Sequence, residues 1–174
     1  MQKVRIPIMV DPVKAAGKQL SYDGLVPSAA LERFRDLLLE SCNDVEVTLN
    51  FAVDAQGVKY FNGVAAVAVT VACERCQQPM DLAVHAEFAY APITKRQQAD
   101  DIPAQYEPIE LNELGEVNLH QVVEDELILA MPVVVKHAPE DCQIKADDMQ
   151  WGEIDETAEA ESNPFAVLQE LKKK

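Results

Sequence analysis

The chain of 174 residues contains only six glycines and no long apolar run. Nucleotide sites commonly use glycine-rich loops, because a backbone without a Cβ can approach a phosphate closely. No such loop is present, and the G-x-S-x-G and HExxH motifs of hydrolases are also missing. The longest apolar run, residues 64–72, is far shorter than the roughly 20 residues that cross a bilayer as a helix. We therefore expect no small-molecule substrate and no membrane insertion.

Carboxylates are abundant, but their spacing does not favour acid–base catalysis. Glu124, Asp125 and Glu126 follow one another in a predicted helix, where successive side chains point about 100° apart and cannot converge on one substrate. A solvated acidic face explains them more simply. Glu126 falls beside the apolar stripe of this helix, where it lies at the edge of the stripe or is partly buried. His85 and His120 have no adjacent nucleophile motif. The sequence predicts no catalytic residue and no enzymatic activity.

Positive charge is scarce in the second half of the chain. Residues 1–100 carry 10 Lys/Arg and 12 Asp/Glu, whereas residues 101–174 carry 5 and 18. Proteins that wrap nucleic acid usually present a basic stripe, and an acidic surface favours a basic partner instead. Acidity that serves only solubility is the alternative. The predicted partner-binding residues are Glu107, Glu110, Glu113, Glu116, Glu124 and Asp125.

The first 18 residues contain four positive side chains: Lys3, Arg5, Lys14 and Lys18. They predict a modest basic face that could contact RNA, and an ordinary mixed-charge surface is the alternative. The same region is interrupted by Pro7 and Asp11, so it lacks the continuous apolar core of a signal peptide. We therefore expect a cytoplasmic protein.

Four cysteines in a reducing cytoplasm indicate metal or redox chemistry rather than disulfides. Cys73 and Cys76 form a CxxC motif at the end of a predicted strand, and thiolates at this spacing can bind one ion. His137 and Cys142 could complete a Cys3His zinc site. Two reduced thiols at a turn are the alternative, because Cys73 also falls on an apolar strand face.

The hydrophobic pattern predicts an α+β fold whose antiparallel sheet, open or barrel-like, packs against two main helices. Apolar and polar residues alternate through residues 45–53 and 82–90, as in half-buried strands. Residues 58–61 and 64–73 are predicted as separate strands, because Asn62 and Gly63 lie between them. Short connections favour antiparallel pairing.

Helical spacing of apolar residues predicts a first helix over residues 27–41 and a second that begins at Asn118 and ends before Pro132. Two further strands are predicted at residues 3–10 and 108–111, and a turn at residues 21–24.

We expect a folded domain over residues 1–137 and a short C-terminal helix over residues 163–174. An acidic, mobile linker over residues 138–162 is predicted between them. Residues 138–161 contain nine acidic side chains and one lysine, a composition that disfavours a packed core. Asn163 and Pro164 are residue types that commonly begin a helix.

Four stretches together resemble one bacterial family. They are MQKVRIPIMVDPVKAA, CERCQQPM, YEPIELNELGEVNLHQVVEDELILAMPVVVKHAPEDC and NPFAVLQELKKK. In order and spacing they are similar to the large ribosomal RNA subunit accumulation proteins of the YceD family. Many members carry a second cysteine pair where this chain has His137 and Cys142, so a substituted Cys3His site and a lost site are both open.

This resemblance implies a role in the synthesis, processing or stability of 23S ribosomal RNA, with no established catalytic residue. The implied partners are a large-subunit ribosomal precursor, a basic ribosomal protein or 23S rRNA. We therefore expect a ribosome biogenesis factor that acts by binding. The competing hypotheses are a direct RNA-binding module and a metal-dependent RNA-processing enzyme.

Overall fold

The computed structural model describes residues 4–94, 99–145, 148 and 152. The chain divides into two units, Met1–Gln143 and Ile144–Lys174, and every helix and strand given below lies in the first. The predicted C-terminal helix, most of the predicted acidic linker and Lys3 lie outside the described residues.

The fold is built on strands β1 (Val4–Arg5), β2 (Met9–Val10), β3 (Ser21–Val26), β4 (Val45–Val53), β5 (Lys59–Ala72), β6 (Pro79–Ile93), β7 (Glu107–Glu110) and β8 (Val117–Asn118). Six of them form one sheet in the order β1-β3-β4-β5-β6-β7, and β2 pairs with β8. The mixed α+β class is confirmed. The sheet is open and not a barrel, and its outermost pairs, β1–β3 and β6–β7, are parallel.

The α-helices of the described residues are α1 (Pro12–Gly17), α2 (Glu32–Arg35) and α3 (Leu119–Ala130), with 3-10 turns at Ser28–Ala30 and Ala99–Asp101. The long helix predicted over residues 27–41 is therefore wrong in extent. Leu31 leaves the helical region, with φ −110° and ψ 67°. Beyond α2, the Leu39 N–H donates to the Thr70 carbonyl of β5 at 3.0 Å, so the chain joins the sheet instead.

The N-terminal segment also differs from the prediction. The predicted strand over residues 3–10 is split into β1 and β2, and the predicted turn over residues 21–24 belongs to β3. Asp11 caps α1 by accepting the Lys14 N–H at 2.9 Å. Gly24 allows β1 to approach, because a Cβ there would lie 1.9 Å from the Val4 carbonyl oxygen.

The predicted break at Asn62 and Gly63 does not occur, and β5 runs through both residues. Gly63 has a packing role. A Cβ at this position would lie 2.6 Å from Leu49 Cδ2 and 2.6 Å from Phe88 Cζ. Glycine here therefore makes room for two buried side chains and does not end the strand.

The second predicted helix is confirmed: α3 follows Asn118 and ends before Pro132. It packs against β6 and β5. The Asn118 side chain caps it by accepting the Gln121 N–H at 3.2 Å. Its apolar stripe is fully buried at Leu119, Val123 and Leu127. No helix in the described part of the chain is long and apolar enough to cross a membrane.

Candidate metal centre and acidic surface

The CxxC motif forms the turn between β5 and β6. The Cys73 N–H donates to the Gln78 carbonyl at 2.9 Å, and the Gln77 N–H donates to the Cys73 carbonyl at 2.8 Å. Gln77 takes the left-handed conformation, with φ 57°, that reverses the chain. The hairpin thus places both thiols of the motif in one compact turn.

The segment that follows α3 packs against this turn. The Glu74 N–H donates to the Val135 carbonyl at 2.8 Å, and the His137 N–H donates to Cys73 Sγ at 3.4 Å. The Cys142 N–H then donates to the Ala138 carbonyl at 3.0 Å. These bonds hold His137 and Cys142 beside the hairpin.

The structure brings all four predicted metal ligands together. The ligand atoms of Cys73, Cys76, His137 and Cys142 lie within 4.8 Å of one another, and Cys76 Sγ is 3.4 Å from His137 Nδ1. Tetrahedral coordination with bonds of about 2.0–2.3 Å separates ligand atoms by roughly 3.3–3.8 Å. The cluster can therefore hold a metal ion after small side-chain movements.

The surroundings of the cluster favour the metal-binding form of its thiols. Burial raises the pKa of Cys73, but backbone N–H groups of His137, Cys76 and Arg75 outweigh it and lower the pKa to about 6. Hydrogen bonds to Cys76 and Cys73 raise the pKa of His137. Cys73 and Cys142 are buried, whereas Cys76 and His137 are half-buried.

The predicted partner-binding carboxylates occupy β7, the turn after it, and α3. Glu107, Glu110 and Glu113 are exposed, and Glu116 and Asp125 are half-buried. The turn is held by Asn112, whose side chain accepts the N–H groups of Leu114 and Glu116 at 2.9 Å each. Five of the six predicted residues are thus accessible in the described structure.

Glu124 is the exception, because only 7% of it is exposed. Its carboxylate binds Arg33 of α2 in an ion pair of 2.7 Å and accepts backbone N–H groups of the same helix. We therefore correct its predicted role: Glu124 joins two helices and is not available to a partner.

Glu126 is a second buried carboxylate, and the solvated acidic face predicted for residues 124–126 is wrong at both glutamates. It accepts a hydrogen bond from the Tyr90 hydroxyl of β6. Burial raises the pKa of Glu126, and the nearby Glu107 and Asp125 raise it further against the opposing effect of Tyr90. In the sequence, the position of Glu126 beside the apolar stripe of the helix indicates this burial.

The predicted RNA-contact residues do not form an equally clear site. Arg5 is exposed on β1, an edge strand of the sheet, and Lys18 is exposed at the end of α1. Lys14 forms an ion pair of 2.9 Å with Asp11, which offsets its charge locally.

A small mixed α+β protein with a Cys3His cluster and an acidic surface is the class that these features define. The family model described as large ribosomal RNA subunit accumulation protein YceD matches residues 61–172. A protein of that name from Haemophilus influenzae is 42% identical over 174 residues, which is 100% of both chains. The chain belongs to the YceD family. No solved structure matches it.

Proposed function

We propose that this protein acts in the cytoplasm as a ribosome biogenesis factor that supports the accumulation of 23S rRNA by binding rather than by catalysis. Membership of the YceD family and the name of the Haemophilus influenzae relative support the ribosomal role. The observation that carries the binding mode is the charge of residues 107–126, which contain no lysine or arginine and expose, fully or in part, five carboxylates: Glu107, Glu110, Glu113, Glu116 and Asp125.

The proposed partner is a basic protein of the large-subunit precursor. Carboxylates repel phosphate groups, and binding to RNA gains most of its affinity from positive side chains that release counterions. Long-range attraction between an acidic surface and a basic protein speeds their encounter. An acidic factor of this kind would keep a basic component available, or hold it in place, during assembly.

We further propose that the Cys3His cluster binds zinc in a structural role. Three soft thiolates and one imidazole form a ligand set that zinc prefers. Catalytic zinc sites keep a coordination position open, whereas four protein ligands fill the tetrahedron. The ion would therefore fasten the β5–β6 turn to the segment after α3, which agrees with a non-enzymatic factor.

Direct RNA binding is the second candidate, supported by the exposure of Arg5 and Lys18. It predicts an affinity for 23S rRNA fragments that falls steeply with salt and weakens in the Arg5→Ala variant. Retention of full RNA affinity in that variant would exclude Arg5 as a contact, and no measurable affinity of the unaltered protein for these fragments would exclude this candidate.

The test of the main proposal is purification of the tagged full-length protein, followed by sedimentation of its complexes on a sucrose gradient. We expect co-migration with large-subunit precursors, and a lower ratio of large to small subunits when the gene is deleted. Unchanged 23S precursor levels and an unchanged subunit ratio after deletion would contradict the ribosomal role. RNA cleavage by the purified protein would contradict the binding mode.

A further inference from the structure

A groove of about 520 Å³ lies beside β7, β8 and the first turns of α3. Its volume falls within the range of about 300–1,000 Å³ that is usual for ligand sites. Four of the residues that line it are apolar and come from four different elements: Met9, Ile109, Val117 and Val122. Such a surface can cover an aliphatic side chain and exclude water from it.

Three carboxylates line the same groove: Glu110 of β7, Glu116 of the following turn and Asp125 of α3. Within the described residues, neither Glu110 nor Glu116 forms an ion pair, and Asp125 is bound by Arg33 at 2.6 Å. No lysine or arginine lines the groove in this part of the chain. Lys14 does not line the groove and is paired with Asp11, but it lies close enough to attract Glu116. The charge of Glu110 is thus left for a ligand to neutralise, and that of Glu116 is offset only in part.

We propose that this groove binds an extended cationic polypeptide segment in which lysine or arginine alternates with aliphatic residues. This inference rests on the proposed function and names the site and the chemistry of its partner. The carboxylates would bind the cationic side chains, and the apolar lining would cover the aliphatic ones. Because β7 forms an edge of the sheet, the groove opens beside the kind of strand that extended chains commonly join.

The lining disfavours a single-stranded RNA ligand. Stacking of bases needs aromatic side chains, and none of the residues that line the groove is aromatic. Phosphate groups would also meet carboxylates rather than cations. A cationic polypeptide with aliphatic side chains can pair with the carboxylates and pack against the apolar lining, whereas RNA can do neither.

The direct test is the fluorescence anisotropy of a labelled peptide, AKVRLKVRA, titrated with the full-length protein. In the Glu110→Gln/Glu116→Gln variant we expect the Kd to rise about tenfold, because two charge pairs are lost. The matched control is Glu40→Gln/Glu87→Gln, which removes the same charge from two exposed positions outside the groove. Its Kd should stay within about twofold of the unaltered protein.

A second variant tests the apolar half of the groove. Met9→Ser should weaken the peptide severalfold but should leave unchanged the weaker binding of AKGRGKGRA, which carries no aliphatic side chains. Equal weakening of both peptides would assign the effect to charge alone and overturn the proposed specificity. Circular dichroism of each variant checks that the fold is retained.

Further outcomes separate this inference from the proposed function. Equal losses in the two double variants would overturn the groove assignment. So would normal co-migration of the Glu110→Gln/Glu116→Gln variant with large-subunit precursors. If the unaltered protein itself does not co-migrate, the proposed function fails, whatever the peptide titration shows.

Discussion

Glu124 Oε2 lies 2.9 Å from Arg33 Nε and 2.7 Å from Arg33 Nη2. The other oxygen, Oε1, accepts the backbone N–H groups of Arg33 and Phe34 at 2.8 Å and 3.3 Å. One buried carboxylate thus satisfies two N–H groups in the first turn of α2 and joins that helix to α3. A buried charge of this kind is stable only while its partners remain in place.

The Glu124→Gln variant should therefore be less stable than the unaltered protein by about 2–3 kcal/mol. Glutamine carries no charge to pair with Arg33, and its NH2 group would replace one of the two oxygens that accept N–H groups of Arg33 and Phe34. Urea unfolding followed by circular dichroism measures the change. Glu113→Gln is the matched control, since Glu113 is exposed, and it should stay within about 0.5 kcal/mol. A similar effect in the two variants would refute the proposed clamp.

Native mass spectrometry of the reduced protein should detect one zinc ion per chain. Cys73→Ser and Cys142→Ser should lose this ion, whereas Cys42→Ser should retain it, because Cys42 does not belong to the Cys3His cluster. Removal of the metal by a chelator should lower the Tm by about 10 °C, if metal binding contributes a few kcal/mol. A purely apo mass after zinc loading would exclude the metal centre.

Glu126 should make stability depend on pH. Its pKa in the folded state is raised above the ordinary value of 4.5, so the folded protein holds this proton more tightly than the unfolded chain. The stabilisation that results from this tighter proton binding is complete below about pH 4.5, and it is lost as the pH rises through the pKa of Glu126 in the folded state.

Glu126→Gln stays uncharged and removes this dependence. Measured by urea unfolding between pH 4 and 8, its stability relative to the unaltered protein should therefore increase with pH. Tyr90→Phe removes a hydrogen bond that lowers the pKa, so it should move the loss to higher pH. Curves for Glu126→Gln and the unaltered protein that run parallel across this range would contradict the assignment.

Gly63→Ala should destabilise the protein by about 1–3 kcal/mol, because its Cβ would push against Leu49 and Phe88 in a packed core. Thermal unfolding should show the loss as a lower Tm. Gly17→Ala is the matched substitution: a Cβ there meets nothing within 4 Å and the effect should be small. A neutral result at Gly63 would show that the core repacks without cost.

The sequence predicts best those features that depend on short spacings. Alternation over Val45–Val53 matches β4 because one face of that strand is buried and the other is wet. The cap at Asn118 likewise depends on a residue only three positions away. The chemistry of their side chains predicts the four members of the Cys3His cluster, since thiols and imidazoles are few in this chain and the structure brings these four together.

Features that depend on distant partners could not be predicted. The burial of Glu124 requires Arg33, which is 91 positions away, and no local pattern reports that pairing. Residues 27–41 have helical spacing, yet the N–H of Leu39 finds a better partner in β5. From the sequence alone, Asn62 and Gly63 resemble a turn. The contacts with Leu49 and Phe88, which explain the glycine, are known only from the fold.

Residues 6–10 have a consequence for how the chain folds. The Ile6 carbonyl oxygen lies within hydrogen-bond distance, 3.0 Å, of Nε2 of His120, which is 114 positions away. The Leu119 N–H donates to the Ile8 carbonyl at 2.8 Å. Such contacts form late, because the entropy of closing a long loop opposes them until the rest is in place. During synthesis the N-terminal segment must therefore wait for α3 to be made, and refolding should be slower than for a fold of purely local contacts.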